Sequence, residues 1–165
     1  MIALAIIALI VEIMLICSKE KARKVPINYI LLGIFTFCEA FCVAYISAFY
    51  SAEACILAAG MTAGMTVGLT LYAVFTKTDF TAWHGLMFIL CITALMLSFA
   101  GLLLGASRMG KAWIAGAFVI IYGLYLIYDT QLICDNHTYS LSLDDYVVGA
   151  LLLYVDIVML FIHLL

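Results

Sequence analysis

Charge is the scarcest ingredient of this sequence. Asp, Glu, Lys and Arg make up 10% of its 165 residues, where a soluble domain carries about 25%. No lysine or arginine sits within the long apolar runs, and a net charge of −3 leaves no basic surface for nucleic acid. Proline is nearly absent: Pro26 is the only one, and no Gly/Ser-rich or low-complexity tract offers a flexible linker, so residues 1–165 read as a single transmembrane domain. The six cysteines (Cys17, Cys38, Cys42, Cys55, Cys91 and Cys134) form no CxxC pair, which argues against a disulfide framework or a metal site and for small apolar packing residues. His84, His137 and His163 lack HxxxH or HExxH spacing, and GxSxG is missing, which excludes the common zinc and serine hydrolases. The chain does not read as an enzyme and needs no resident cofactor.

What fills the sequence instead is hydrocarbon: 68% hydrophobic residues and a mean hydropathy of +1.27. A spanning helix needs about 20 mainly apolar residues. Six segments qualify as spans: Ile2–Cys17, Ile27–Phe49, Ala54–Phe75, Trp83–Gly105, Ala112–Cys134 and Tyr146–Leu165. The expected fold class is an all-α membrane protein, a polytopic helical bundle. The first segment is short and starts at Met1 without a basic leader or a cleavage site, so it reads as a retained, shortened helix and not as a signal peptide. Alternating sides, the first, third and fifth connections share Lys19, Lys21, Arg23, Lys24 and Lys77, against Arg108 and Lys111 opposite. Positive charge marks the cytosolic side, so "KEKARK" faces the cytosol. The sequon at Asn136 then lies there too, unmodified.

Gly60, Gly64 and Gly68 make a small-residue ridge on the third span, repeated more weakly by Gly101 and Gly105; such ridges let helices approach closely. Packing within one chain is the expected use. Ser142 and Asp145 have the spacing of a capping box at the start of the last helix. Asp144 and Asp145 suit that positive end.

Four acids lie inside apolar runs: Glu12, Glu39, Asp129 in "LIYDTQLI" and Asp156 in "LYVDIVML". An isolated carboxylate in hydrocarbon costs about 2.5–3.5 kcal/mol or more, so an intramembrane acid is a functional candidate by default. With no cation in any span, the favoured state near neutral pH is protonated, or one proton shared between two carboxyls. Asp129 and Asp156 are on consecutive helices, which normally pack antiparallel. Asp129 lies about 8 Å from the end of its span and Asp156 about 16 Å along its own. They meet only if the last helix overhangs by a turn or two.

Together, "FYSAEACILAAGMTAGMTVGLTLYAVFTKTDFT" (Phe49–Thr81), "YDTQ" (Tyr128–Gln131) and "SLSLDDYVVGALLLYVDIVMLFIHLL" (Ser140–Leu165) resemble the transmembrane Bax inhibitor motif family, nearest its Lifeguard and Golgi anti-apoptotic branches. The resemblance runs from about Asn28 to the C-terminus. It implies a seven-helix fold with a central last helix, so that six spans here mean the family's first helix is absent. It implies residence in Golgi or endoplasmic reticulum, a pH-sensitive Ca²⁺ leak and suppression of apoptosis. The family's di-aspartyl sensor falls on Asp129 and Asp156, which would also be transient Ca²⁺ ligands. Its conduction-linked acids fall on Asp144 and Asp145, and Glu12 and Glu39 join them as ion-pathway candidates. The implied partners are Ca²⁺ as permeant ion, membrane lipid and apoptosis regulators, with the protein a monomer or weak oligomer. Bacterial relatives set an arginine against the aspartates; here Glu12 occupies that region.

Two other functions fit some of these residues. Intramembrane aspartyl proteases also carry YD in one span and a second Asp in the next, but their GxGD and PAL segments have no counterpart here. A non-conducting scaffold for apoptosis regulators needs none of the buried acids.

Overall fold

The computed structural model describes residues 1–104, 107–134 and 139–165. The chain forms seven helices among the described residues: α1 Ile2–Cys17, α2 Lys19–Arg23, α3 Ile27–Ser47, α4 Ala52–Phe75, α5 His84–Leu104, α6 Arg108–Ile133 and α7 Tyr146–Leu164. Short 3-10 turns precede α5 (Phe80–Trp83) and α7 (Leu143–Asp145). This is a polytopic helical bundle.

Five of these helices are long and apolar enough to cross a membrane, where six were expected. The correction concerns α1. At 16 residues it extends about 24 Å at 1.5 Å per residue, short of the roughly 30 Å hydrocarbon core. The helix α2 and the early start of α6 at Arg108 also went unforeseen. Ser107 accepts the Gly110 N–H at 3.2 Å, a cap that starts α6 four residues before the expected Ala112. Asn136 and His137 lie outside the described residues.

The last helix is enclosed. It packs on α6, α4, α3 and α1, and Val147, Leu151 and Leu160 have almost no exposed surface. Leu15, Phe35 and Leu151 anchor the core shared by α1, α3 and α7. Outward side chains are apolar too, with Phe37, Phe88 and Trp113 largely exposed. Lipid is as apolar as leucine, so close packing and hydrogen bonds between helices must hold such a bundle, with little help from hydrophobic burial.

The glycine ridge does not pack within this chain. A Cβ placed on Gly60, Gly64 or Gly68 would meet nothing within 4 Å. The inward stripe of α4 is Ala58, Thr62 and Ala73, and each ridge glycine is two residues from a member of the Thr62-Thr66 row, about 200° around the helix. The face chosen for the interior belongs to the alanines and threonines.

The overhang required for α7 is present. A Cβ on Gly149 would lie 3.1 Å from Ile133 Cγ1, so the end of α6 meets α7 one turn in, at the residue without a side chain. Leu141 N–H donates to Leu132 O at 2.7 Å, drawing the connection back along α6.

Candidate functional site

Helix α6 presents Tyr122, Tyr125 and Asp129 along one face, with spacings of three and four residues that keep them aligned. Helix α7 brings Asp156 to the same place. Both aspartates are buried, 6% and 4% exposed, and their carboxyls are hydrogen-bonded to each other. Two carboxylates cannot hydrogen-bond without a proton on one of them. The second oxygen of Asp156, Oδ2, is buried with no partner among the described residues.

The pair lines a cavity of about 450 Å³ between α1, α5, α6 and α7, together with Glu12, Cys91, Tyr122 and Tyr125. No lysine or arginine lines it. Tyr125 is held by its hydroxyl, which donates to Met87 O on α5 at 2.6 Å. Glu39 does not reach this cavity. It lines a separate pocket of about 30 Å³ with Glu12, Phe35 and Tyr154. Among the described residues, no three His, Cys, Asp or Glu side chains converge as a ligand set for a metal ion. A cation in the large cavity would keep much of its water.

Asp144 and Asp145, adjacent in sequence, part company. Asp144 is exposed, whereas Asp145 is buried. The capping box gives way to a different arrangement. Ser142 Oγ caps no helix N–H and instead donates to Asp145 Oδ2 at 3.0 Å. The carboxylate is claimed by Arg23, whose Nε and Nη2 reach Oδ1 and Oδ2 at 2.7 and 2.8 Å, while Nη2 also meets Ser142 Oγ at 3.0 Å. A guanidinium matches a carboxylate bidentately where a lysine could not, and a two-point bond outcompetes a cap. The signal for it was one arginine among three lysines in "KEKARK", but nothing in that string names a partner 122 residues away.

This ion pair joins the first and fifth connections, as alternating sides require. The third joins them too: Tyr139 N–H donates to Thr81 Oγ1 at 3.2 Å. Arg23 and Asp145 lie outside the spanning helices, in α2 and in the turn before α7. The Arg23 bond, reinforced by Ser142, holds the Asp145 carboxyl down at about 2. A depressed carboxyl contributes stability that is complete above its ordinary range near 4 and is lost as pH falls through about 2. The Asp145 carboxyl ¹³C shift should therefore stay flat between about pH 5 and 8 and move only below about pH 3. Titration at neutral pH would contradict this bonding.

A second unforeseen residue is Gln131, the last letter of "YDTQ", with no exposed surface. Two residues along α6 from Asp129, it points about 200° away, toward the end of α4. Its Oε1 accepts the Phe80 N–H at 2.7 Å, and its Nε2 donates to Ala73 O and Thr78 O at 3.1 and 2.9 Å. One side chain thus satisfies three backbone groups where α4 ends, while Thr130 Oγ1 donates to Leu126 O within α6. Of the motif's four residues, Asp129 faces the cavity and Gln131 anchors the helix that carries it.

Comparison with known proteins places this arrangement. The family described as inhibitor of apoptosis-promoting Bax1 (Bax1-I) matches residues 1–165. Protein lifeguard 3 of Homo sapiens is 32% identical over 155 residues, 90% of this chain and 49% of its own length. Protein LIFEGUARD 3 of Arabidopsis thaliana is 31% identical over 168 residues, 99% of this chain and 66% of its own. An uncharacterised protein of Campylobacter jejuni is 34% identical over 161 residues, 94% of this chain and 67% of its own. The chain thus spans about half the length of the human relative.

Proposed function

Because this integral membrane protein belongs to the Bax1-I family of inhibitors of apoptosis-promoting Bax1, we propose that it is a pH-sensitive calcium leak of Golgi or endoplasmic reticulum membranes that restrains apoptosis by setting the Ca²⁺ content of the store. The observation that carries this reading is the pair of buried aspartates, joined by a shared proton at the wall of a cavity that no cation lines.

In the closed form the proton cancels one charge of the pair. The other titratable groups facing it are Glu12 from α1, Cys91 from α5, and Tyr122 and Tyr125 from α6. None is a base that could hold a positive charge beside the aspartates. Loss of the shared proton leaves two like charges in contact, and their repulsion favours any packing of α6 and α7 that separates them. The separated carboxylates then offer the oxygen ligands a hard cation such as Ca²⁺ takes. Arg23 and Asp145 keep the outer end of α7 in place through this change, because their bond does not titrate near neutral pH.

Purified protein in liposomes should leak Ca²⁺ faster as pH is raised from about 6 to about 8. A flux no greater than that of protein-free liposomes at every pH would sink the reading. A proton-sharing aspartate pair is also what an intramembrane aspartyl protease requires; cleavage of a transmembrane peptide in the same liposomes, abolished by Asp129→Asn, would establish that function instead.

A further inference from the structure

Glu12 is the one acid that lines both cavities. It borders the chamber of about 450 Å³ with Asp129 and Asp156, and the pocket of about 30 Å³ with Glu39. Neither aspartate lines the pocket, and Glu39 does not line the chamber. Glu12 and Glu39 are also close enough for their charges to interact. The two spaces differ in what they can hold. The chamber has room for a cation with its first shell of water, and the unpartnered Oδ2 of Asp156, on a side chain 4% exposed, is an acceptor on its wall. The pocket has about the volume of a single water molecule. A cation passing from one to the other must shed water, and the groups placed to replace that water are the carboxylates of Glu12 and Glu39.

We propose that Glu12 and Glu39 form a selectivity constriction, distinct from the aspartate pair, at which a divalent cation exchanges water for carboxylate oxygen between α1, α3 and α7. The aspartates then decide when ions move, and the glutamates decide which. Two facing carboxylates favour a doubly charged cation over a singly charged one, because each ion–carboxylate attraction scales with ionic charge. Oxygen ligands at such a constriction select by charge and by ease of dehydration. Phe35, Tyr154 and Met159 complete the pocket wall, a lining that offers little to replace the water of an ion lacking those carboxylates. This inference rests on the leak reading, and its test is chosen to separate the two.

In liposomes, Glu12→Gln and Glu39→Gln should each lower the Ca²⁺-over-K⁺ flux ratio about tenfold and leave the pH at half-maximal leak unchanged. Asp156→Asn should do the reverse, flattening the pH profile and keeping the ratio. A second measurement needs no flux: Tb³⁺, a hard oxygen-seeking cation, added to the detergent-solubilised protein should emit by energy transfer from Tyr122, Tyr125 and Tyr154. Glu12→Gln and Glu39→Gln should both lose most of that saturable emission. A flux ratio unmoved by both Gln variants, or emission that both retain, overturns the constriction. Wild-type liposomes that conduct no Ca²⁺ overturn the leak itself, and the Tb³⁺ emission still decides whether Glu12 and Glu39 hold a cation.

Discussion

Asp156→Asn should flatten the pH dependence of leak while leaving the helical bundle intact. An asparagine amide can donate to the Asp129 carboxylate without a shared proton, so the contact between α6 and α7 survives but no longer titrates. In the parent protein, two carboxylates at about 4 Å repel by about 4 kcal/mol at an effective dielectric of 20, equivalent to roughly a thousandfold shift in a two-state equilibrium. Removing one ionisable member removes the whole of that term, which is why the effect should be large. Asp129→Asn is its mirror and should behave alike. Circular dichroism and elution as a single species would verify the fold. Leak from liposomes, followed against pH with a Ca²⁺ dye, would read the effect. Two variants that both retain the parent pH profile would remove the aspartate pair from the mechanism.

Gln131→Ala should destabilise the protein by about 3 kcal/mol, because it strands three backbone groups at once and an unpaired buried donor or acceptor costs about 1–3 kcal/mol. Ala73 O is a carbonyl in the last turn of α4, where the helix has no further N–H to offer. Phe80 N–H and Thr78 O lie in the non-helical connection, equally dependent on the amide. Water at the bundle's end recovers part of the loss, which keeps the figure at the lower half of the possible sum. The midpoint of thermal unfolding in detergent should fall by roughly 10 °C. Thr36→Ala, which removes one exposed hydroxyl-to-backbone bond within α3, should move it little. Equal shifts in the two variants would show that the Gln131 bonds do not hold the α4 end.

Much of the site's chemistry was legible because it is local. Helix periodicity puts Tyr122, Tyr125 and Asp129 on one face, hydropathy marks the spans, and a carboxylate in an apolar run declares itself by its cost. The same logic failed for Gly60, Gly64 and Gly68. A small-residue ridge shows that one face of α4 can approach a neighbour, but the rotation of α4 in the bundle depends on every other packed face. Ser142 failed for a related reason: a local cap competes with Arg23, and the competitor is distant in sequence.

The sequence by itself determined that this chain lives in a membrane, which segments cross it and in what alternating order, and which carboxyls must find a partner or a proton there. Each follows from transfer free energies and helical spacing, and these are properties of a residue and its near neighbours. Tertiary structure alone decided that Asp129 meets Asp156, that Arg23 clasps Asp145, that Gln131 closes the end of α4, and that Glu12 stands between two cavities while α1 stays too short to cross. Those contacts depend on how far α7 overhangs α6 and on the angle at which each helix turns its faces. Helix rotation and depth are collective results of packing, in which no single residue has a deciding share.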